Sequence, residues 1–221
     1  MIKIAPSFLS ANFGNLEAEI ALVESGGADM IHLDVMDGHF VPNLTFGPLV
    51  VEAIRKRTSL ALDVHLMIAD PARYIEAFIG AGADILTVHQ EIDGDVPAIV
   101  DDIHDRGKAV GVSIKPTTPP SALFPLLSQN LDLALVMSVE PGFGGQSFMP
   151  SAIDKIRALR DEIDRNGRGT LIEVDGGIDP SNIRMVARAG ADIFVAGSSV
   201  FKEGQVGVNI GALREAAASE K

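Results

Sequence analysis

The strongest constraint on fold is an alternation. Short runs rich in β-branched residues recur every ~20–30 residues, and amphipathic helical stretches fill the intervals, the pattern of linked βαβ units. Eight such runs are present, near Ile2 to Phe8, Met30 to Met36, Ala61 to Met67, Ile85 to Gln90, Ala109 to Ile114, Leu133 to Val139, Leu171 to Val174 and Ile193 to Ala196. Helices are expected between them over Leu16 to Ser25, Gly47 to Lys56, Pro71 to Ala81, Val96 to Arg106, Ala152 to Asn166 and Pro180 to Ala189. Three of these helices finish in related phrases, Gly26-Gly27-Ala28-Asp29, Gly80-Ala81-Gly82-Ala83-Asp84 and Ala189-Gly190-Ala191-Asp192, in which glycine supplies the left-handed turn that ends a helix. Asp70-Pro71 and Asp179-Pro180 each place an aspartate cap before proline at the first helical position.

A βα repeat with no linker or shift in composition admits a closed (β/α)8 barrel or an open doubly wound sheet. The open dinucleotide-binding sheet calls for Gly-x-Gly-x-x-Gly after its first strand, and that strand runs instead into Pro6-Ser7-Phe8-Leu9-Ser10-Ala11-Asn12. Eight units therefore predict an α/β protein made of one (β/α)8 TIM barrel, a single domain over residues 1–221 with enough chain to bury a large core.

Charge and composition narrow the partners. With 18 Lys+Arg against 30 Asp+Glu the formal charge is -12, which opposes binding to nucleic acid or to an anionic membrane surface. Cysteine is absent, which removes disulfides, thiolate metal sites and a cysteine nucleophile. The opening Met1-Ile2-Lys3-Ile4-Ala5-Pro6 lacks the pattern of a secretory leader, and no uncharged apolar run reaches spanning length, so a soluble cytoplasmic protein is expected.

In a barrel the chemistry sits at the carboxyl ends of the strands. There, Met30-Ile31-His32-Leu33-Asp34-Val35-Met36 alternates so that His32 and Asp34 share a face, while Asp63-Val64-His65 and Glu173-Val174-Asp175 carry ionisable groups just before a break. His32, Asp34, His65 and Asp175 can converge as nitrogen and oxygen donors for one divalent cation, zinc, iron, manganese or cobalt, or can form an ion-paired cluster closing the barrel top. Glycines make a second group, in Pro141-Gly142-Phe143-Gly144-Gly145-Gln146, in Gly176-Gly177 and in Gly197-Ser198-Ser199. Glycine-rich loops after the last two strands of a barrel offer main-chain N–H groups to a phosphate; the alternative is that they only make tight turns. Met36, Met67 and Met137 recur at strand ends, as core filler or as an apolar collar that excludes water from a reacting centre.

The phrases His32-Leu33-Asp34-Val35-Met36-Asp37-Gly38-His39-Phe40-Val41-Pro42-Asn43, Asp63-Val64-His65-Leu66-Met67, Val139-Glu140-Pro141-Gly142-Phe143-Gly144-Gly145-Gln146 and Glu173-Val174-Asp175-Gly176-Gly177-Ile178 closely resemble the ribulose-phosphate 3-epimerase family. The likeness runs from Ala5-Pro6-Ser7 to Ala196-Gly197-Ser198-Ser199. It implies a metal-dependent isomerase of pentose phosphate metabolism that inverts C3 of D-ribulose 5-phosphate to give D-xylulose 5-phosphate. One divalent ion per subunit would be held by His32, Asp34, His65 and Asp175, with Asp34 and Asp175 as the acid/base pair. By the same resemblance Ser7, His65 and Asp175 would touch the sugar, Gly142, Phe143, Gly144 and Gly145 would close over it, and Gly176, Gly177, Gly197 and Ser198 would cradle its phosphate. Relatives assemble as dimers or hexamers, so a homo-oligomer is expected. The turn Lys115-Pro116-Thr117-Thr118-Pro119-Pro120 fits the family pattern loosely and receives no role. Three other readings stand beside this one. They are a 3-epimerase for a hexulose such as allulose 6-phosphate, a barrel decarboxylase, and a non-catalytic sugar-phosphate-binding barrel. The decarboxylase would need Asp-x-Lys-x-x-Asp where the chain has Asp63-Val64-His65-Leu66-Met67-Ile68.

Overall fold

The structure, a computed structural model, describes residues 2–167 and 169–218. Its strands are β1 (Lys3–Pro6), β2 (Met30–Met36), β3 (Ala61–Met67), β4 (Ile85–His89), β5 (Ala109–Ile114), β6 (Leu133–Met137), β7 (Leu171–Asp175) and β8 (Ile193–Ala196). All pair in parallel in the order β1-β8-β7-β6-β5-β4-β3-β2. The ring closes between β1 and β2 through a parallel bridge of Ser7 with His32. Around it run α1 (Leu16–Ser25), α2 (Pro48–Arg55), α3 (Ile75–Gly80), α4 (Val96–Asp105), α5 (Phe124–Leu127), α6 (Ala152–Asn166), α7 (Ile183–Ala189), α8 (Ser198–Phe201) and α9 (Val206–Ala218). The expected (β/α)8 barrel is therefore the observed one.

Strand periodicity sorts the side chains. In β2 the odd-numbered Ile31, Leu33 and Val35 face outward into the main core beneath the helices, and Met30, His32, Asp34 and Met36 point into the barrel. At the amino-terminal end the interior is plugged by Ala5, Met30, Leu133, Ile193 and Val195. Above that plug it turns polar: His32 pairs in register with Asp63, Asp34 with His65, and Met137 with Asp175. The apolar plug leaves the carboxyl end as the face through which a small molecule reaches these groups.

The related helix endings prove to be one device used four times. Asp29, Asp84, Asp132 and Asp192 each precede an even-numbered strand, and each carboxylate accepts the N–H of the second residue of the preceding strand, Ile4, Leu62, Val110 or Ile172, at 2.8–2.9 Å. The same residue's carbonyl accepts the aspartate N–H, so strand pairs are locked by two-bond rings. Each carboxylate also meets a cationic or imidazole group from a helix: Arg214, Arg55, His104 and Arg160 respectively. Two residues before each aspartate the chain turns left-handed, at Gly27, Gly82, Asn130 and Gly190 with φ between 65° and 117°. The third copy, Asn130-Leu131-Asp132, escapes the sequence pattern because asparagine replaces glycine.

Several boundaries differ from expectation. β1 ends at Pro6, β4 at His89 and β6 at Met137, and β7 extends through Asp175. The predicted helix over Pro71 to Ala81 opens as a 3-10 turn, Pro71–Tyr74, and Asp70 makes no capping bond. The helix expected from Pro180 starts at Ile183. Asp179 does not cap it, because its Oδ1 is taken by the Ser181 N–H and hydroxyl, while Asn182 folds back to donate to the Gly177 carbonyl at 2.7 Å. Aspartate capping does occur at α4, where Asp95 accepts the Ala98 N–H.

Candidate active site

A carboxylate buried in the barrel needs its lone pairs filled, and the strands supply the donors. Asp34 accepts the Ser7 hydroxyl at 2.7 Å across the β1–β2 seam, and lies 3.3 Å from both His65 Nδ1 and His32 Nε2. Burial alone raises an aspartate's pKa, but the two histidines outweigh it and hold Asp34 well below the usual carboxylate range. Asp175 shows the opposite balance. Loss of surrounding water, and then the Asp34 charge, push it up to about 7. The two acids thus sit across one site with contrasting proton affinities.

His32 is completely buried and points both ways. Its Nδ1–H donates to Asp63 Oδ2 at 2.6 Å, which turns Nε2 toward Asp34, yet Nε2 makes no hydrogen bond. Burial lowers the pKa of this ring, but Asp34 and Asp63 prevail and raise it well above the ordinary value. A proton or a cation at that nitrogen satisfies the same electrostatic demand. Ligand atoms of His32, Asp34, His65 and Asp175 all lie within 4.8 Å of one another. A two-nitrogen, two-oxygen set, buried but for the half-buried Asp175 and with one orphaned nitrogen, fits a divalent cation, so the four residues could hold one.

The expected site residues are brought together. Ser7, Asp34, Met36, Met67 and Met137 line one cavity with Gly142, Phe143, Gly144, Gly145, Asp175, Gly176, Gly177, Gly197 and Ser198, while His32 and His65 lie fully buried beneath it. The three methionines are at most 4 % exposed, whereas Phe143 is 56 % exposed at the lip. Gln146 holds the glycine loop by donating to the Glu140 and Phe143 carbonyls, and Asn43 donates to the Gly142 carbonyl. Gly177 is forced: at φ +64° a Cβ would stand 2.3 Å from the Phe148 nitrogen.

Four residues of this region were missed in the sequence. Asp63 and Glu173 read as ordinary strand polar residues, but both are fully buried, and Glu173 is pushed well above its usual pKa by burial and then by Asp63. His89 and Glu91 extend the cluster outward, since His65 Nε2 lies 2.9 Å from His89 Nε2 and His89 Nδ1 3.1 Å from Glu91 Oε2. The signal was parity: Ile85, Thr87 and His89 alternate inward along β4 as His32 and Asp34 do along β2.

Fold and centre together define a (β/α)8 barrel with a buried histidine and carboxylate cluster, able to hold a metal ion, opening at the carboxyl ends of its strands. Residues 3–201 match the ribulose-phosphate 3 epimerase family. The chain is 52 % identical over 202 residues to the ribulose-phosphate 3-epimerase of Bacillus subtilis, covering 91 % of this chain and 93 % of that one. It is 47 % identical to the cytoplasmic isoform of the rice enzyme, Oryza sativa, covering 96 % and 93 %. The chain belongs to the ribulose-phosphate 3-epimerase family. Among solved structures, orotidine 5'-phosphate decarboxylase from Pyrococcus horikoshii superposes with a TM-score of 0.69 over 99 % of this chain and 100 % of the other at 17 % identity, a likeness of fold alone.

Proposed function

We propose that this protein interconverts D-ribulose 5-phosphate and D-xylulose 5-phosphate by moving protons on opposite faces of C3. The observation that carries the proposal is the pair Asp34 and Asp175, converging from β2 and β7 within 4.8 Å with contrasting proton affinities. Inversion beside a ketone demands such a pair, because one group must take a proton from C3 while another delivers one to the other face of the planar enediolate. In one direction the ionised Asp34 accepts the proton and the protonated Asp175 donates; the reverse reaction runs with these roles exchanged.

The remaining residues receive roles from their positions. Ser7 fixes the Asp34 carboxylate through its 2.7 Å hydrogen bond and, with His65, meets the sugar. Main-chain N–H groups at Gly176, Gly177, Gly197 and Ser198 receive the phosphate, the first N–H groups of α8 having no intrahelical acceptor. Gly142 to Gly145 close the top, and Met36, Met67 and Met137 form an apolar collar that keeps water from the carbanionic centre. His32, Asp34, His65 and Asp175 would hold the divalent cation, which when bound supplies Lewis-acid stabilisation of negative charge developing on the C2 and C3 oxygens. No helix among the described residues is long and apolar enough to cross a membrane, and the cytoplasm is the proposed compartment, as for the rice relative.

Turnover of ribulose 5-phosphate in heavy water tests the scheme. Solvent deuterium is expected at C3 of the xylulose 5-phosphate formed, and complete retention of the original hydrogen would exclude the two-acid exchange. Running allulose 6-phosphate in parallel places substrate choice on the same scale, with the pentulose expected to be the faster substrate.

A further inference from the structure

The contacts beyond His65 run in one line to the surface and end in the proline-rich turn that carried no role. His65 Nε2 and His89 Nε2 stand 2.9 Å apart, so one proton must lie between them. His89 Nδ1 faces Glu91 Oε2 at 3.1 Å. The other Glu91 oxygen already accepts the Lys115 N–H at 2.7 Å and the Thr118 hydroxyl, so this carboxylate can only accept from His89 as well. Lys155 of α6 fastens the turn by donating to the carbonyls of Lys115, Pro116 and Thr118 at 2.9, 2.6 and 2.6 Å. Phe40 covers His89 from the side, its ring centroid 4.7 Å away.

Valence then sets each ring. With Glu91 accepting, His89 carries its proton on Nδ1 and offers a lone pair at Nε2. His65 must donate there from Nε2. The Nδ1 of His65, 3.3 Å from Asp34 Oδ1, is then left with a lone pair facing an acceptor-only carboxylate oxygen, and a cation between the two is what satisfies both. We infer that His89 and Glu91 are positioning residues that hold His65 in the one tautomer able to ligate a cation through Nδ1, and that the Lys115–Thr118 turn with Lys155 is their outer anchor. This inference rests on the proposed metal-dependent reading of the site. It adds a third and fourth link to the usual arrangement in which a ligand histidine is oriented by one partner.

Two measurements on the full-length chain test it. In metal-free protein with isotopically labelled imidazole nitrogens, long-range proton–nitrogen correlation at neutral pH should show His65 protonated on Nε2 alone and His89 on Nδ1 alone. Reversed tautomers, averaged tautomers or a doubly protonated His89 would overturn the inference without any variant being made. Zinc affinity, read by competition with a chelator, should weaken about 10- to 100-fold in Glu91→Ala and stay within a few-fold of wild type in Glu91→Gln, which keeps an acceptor. Equal zinc affinity in wild type and Glu91→Ala would also overturn it, since a purely structural Glu91 would lower stability and leave affinity alone. Failure of wild type to bind zinc, iron, manganese or cobalt would instead strike the metal reading, while the tautomers would still judge the relay.

Discussion

The two rims of the barrel use aspartate in opposite ways. At the lower rim Asp29, Asp84, Asp132 and Asp192 are partly exposed, and each has its Oδ2 shared between a backbone N–H and a basic or imidazole side chain. At the upper rim Asp34 and Asp63 are buried among histidines, Asp175 has the Asp34 charge nearby, and Asp63 Oδ1 and both Glu173 oxygens lack hydrogen-bond partners. The difference teaches that a carboxylate's role follows from the surroundings in which the fold places it. Pinned at the solvent edge by a strand N–H and a helix cation, it stabilises; buried at the cavity among histidines and a second acid, its proton affinity is set by those neighbours.

Substitutions at the two rims should therefore fail in different assays. The largest effect is expected for Asp34→Asn and Asp175→Asn, which should lower turnover by roughly 10²- to 10⁴-fold because each removes an acid/base group. A variant with near-normal kcat would take that residue out of the reaction and erase the contrast at its upper end. Asp192→Ala should do the reverse, costing about 1–3 kcal/mol in urea denaturation by orphaning the Ile172 N–H while kcat stays within about two-fold of wild type. If its turnover fell with stability intact, the lower rim would not be the passive partner described.

Smaller effects sharpen the boundary between the rims. Burial raises Glu91, but hydrogen bonds from His89, Thr118 and the Lys115 N–H overcome this and hold it down to about 2, against an ordinary value of 4.5. The unfolded chain therefore takes up that proton first, so the stability Glu91 contributes is whole above pH 4.5 and is lost as pH falls through about 2. Glu91→Gln should flatten denaturation profiles across that window, and an unchanged slope would mean the side chain is solvated. The smallest effect is expected at Glu173, whose proton affinity burial and then Asp63 raise. Glu173→Gln preserves shape and a donor, so stability within about 1 kcal/mol of wild type is predicted by thermal unfolding. A large loss would show an ionised Glu173.

Much of this was legible before any coordinates. The alternation of Ile31, Leu33 and Val35 with His32 and Asp34 gives both the strand and the shared face, because a strand's period is fixed by the backbone. Helix α9 was not, although Val206, Ile210, Leu213 and Ala217 mark its buried side; Gly207 and Gly211 dilute the helical signal. The Asp179 cap failed because Ser181 competes for the same oxygen, a contact between neighbours whose geometry spacing does not specify. Asp63, Glu173, His89 and Glu91 escaped for a different reason. Which nitrogen meets which oxygen depends on the register between strands, and register is a property of the assembled ring rather than of any one segment.

The four lower-rim rings join only residues at the amino-terminal mouth, one at every second seam of the barrel, and none of them draws on a loop above. Upper loops can then be lengthened, shortened or rewritten for a different metabolite while the foundation keeps its strength. An architecture fastened from below in this way is free to diversify from above.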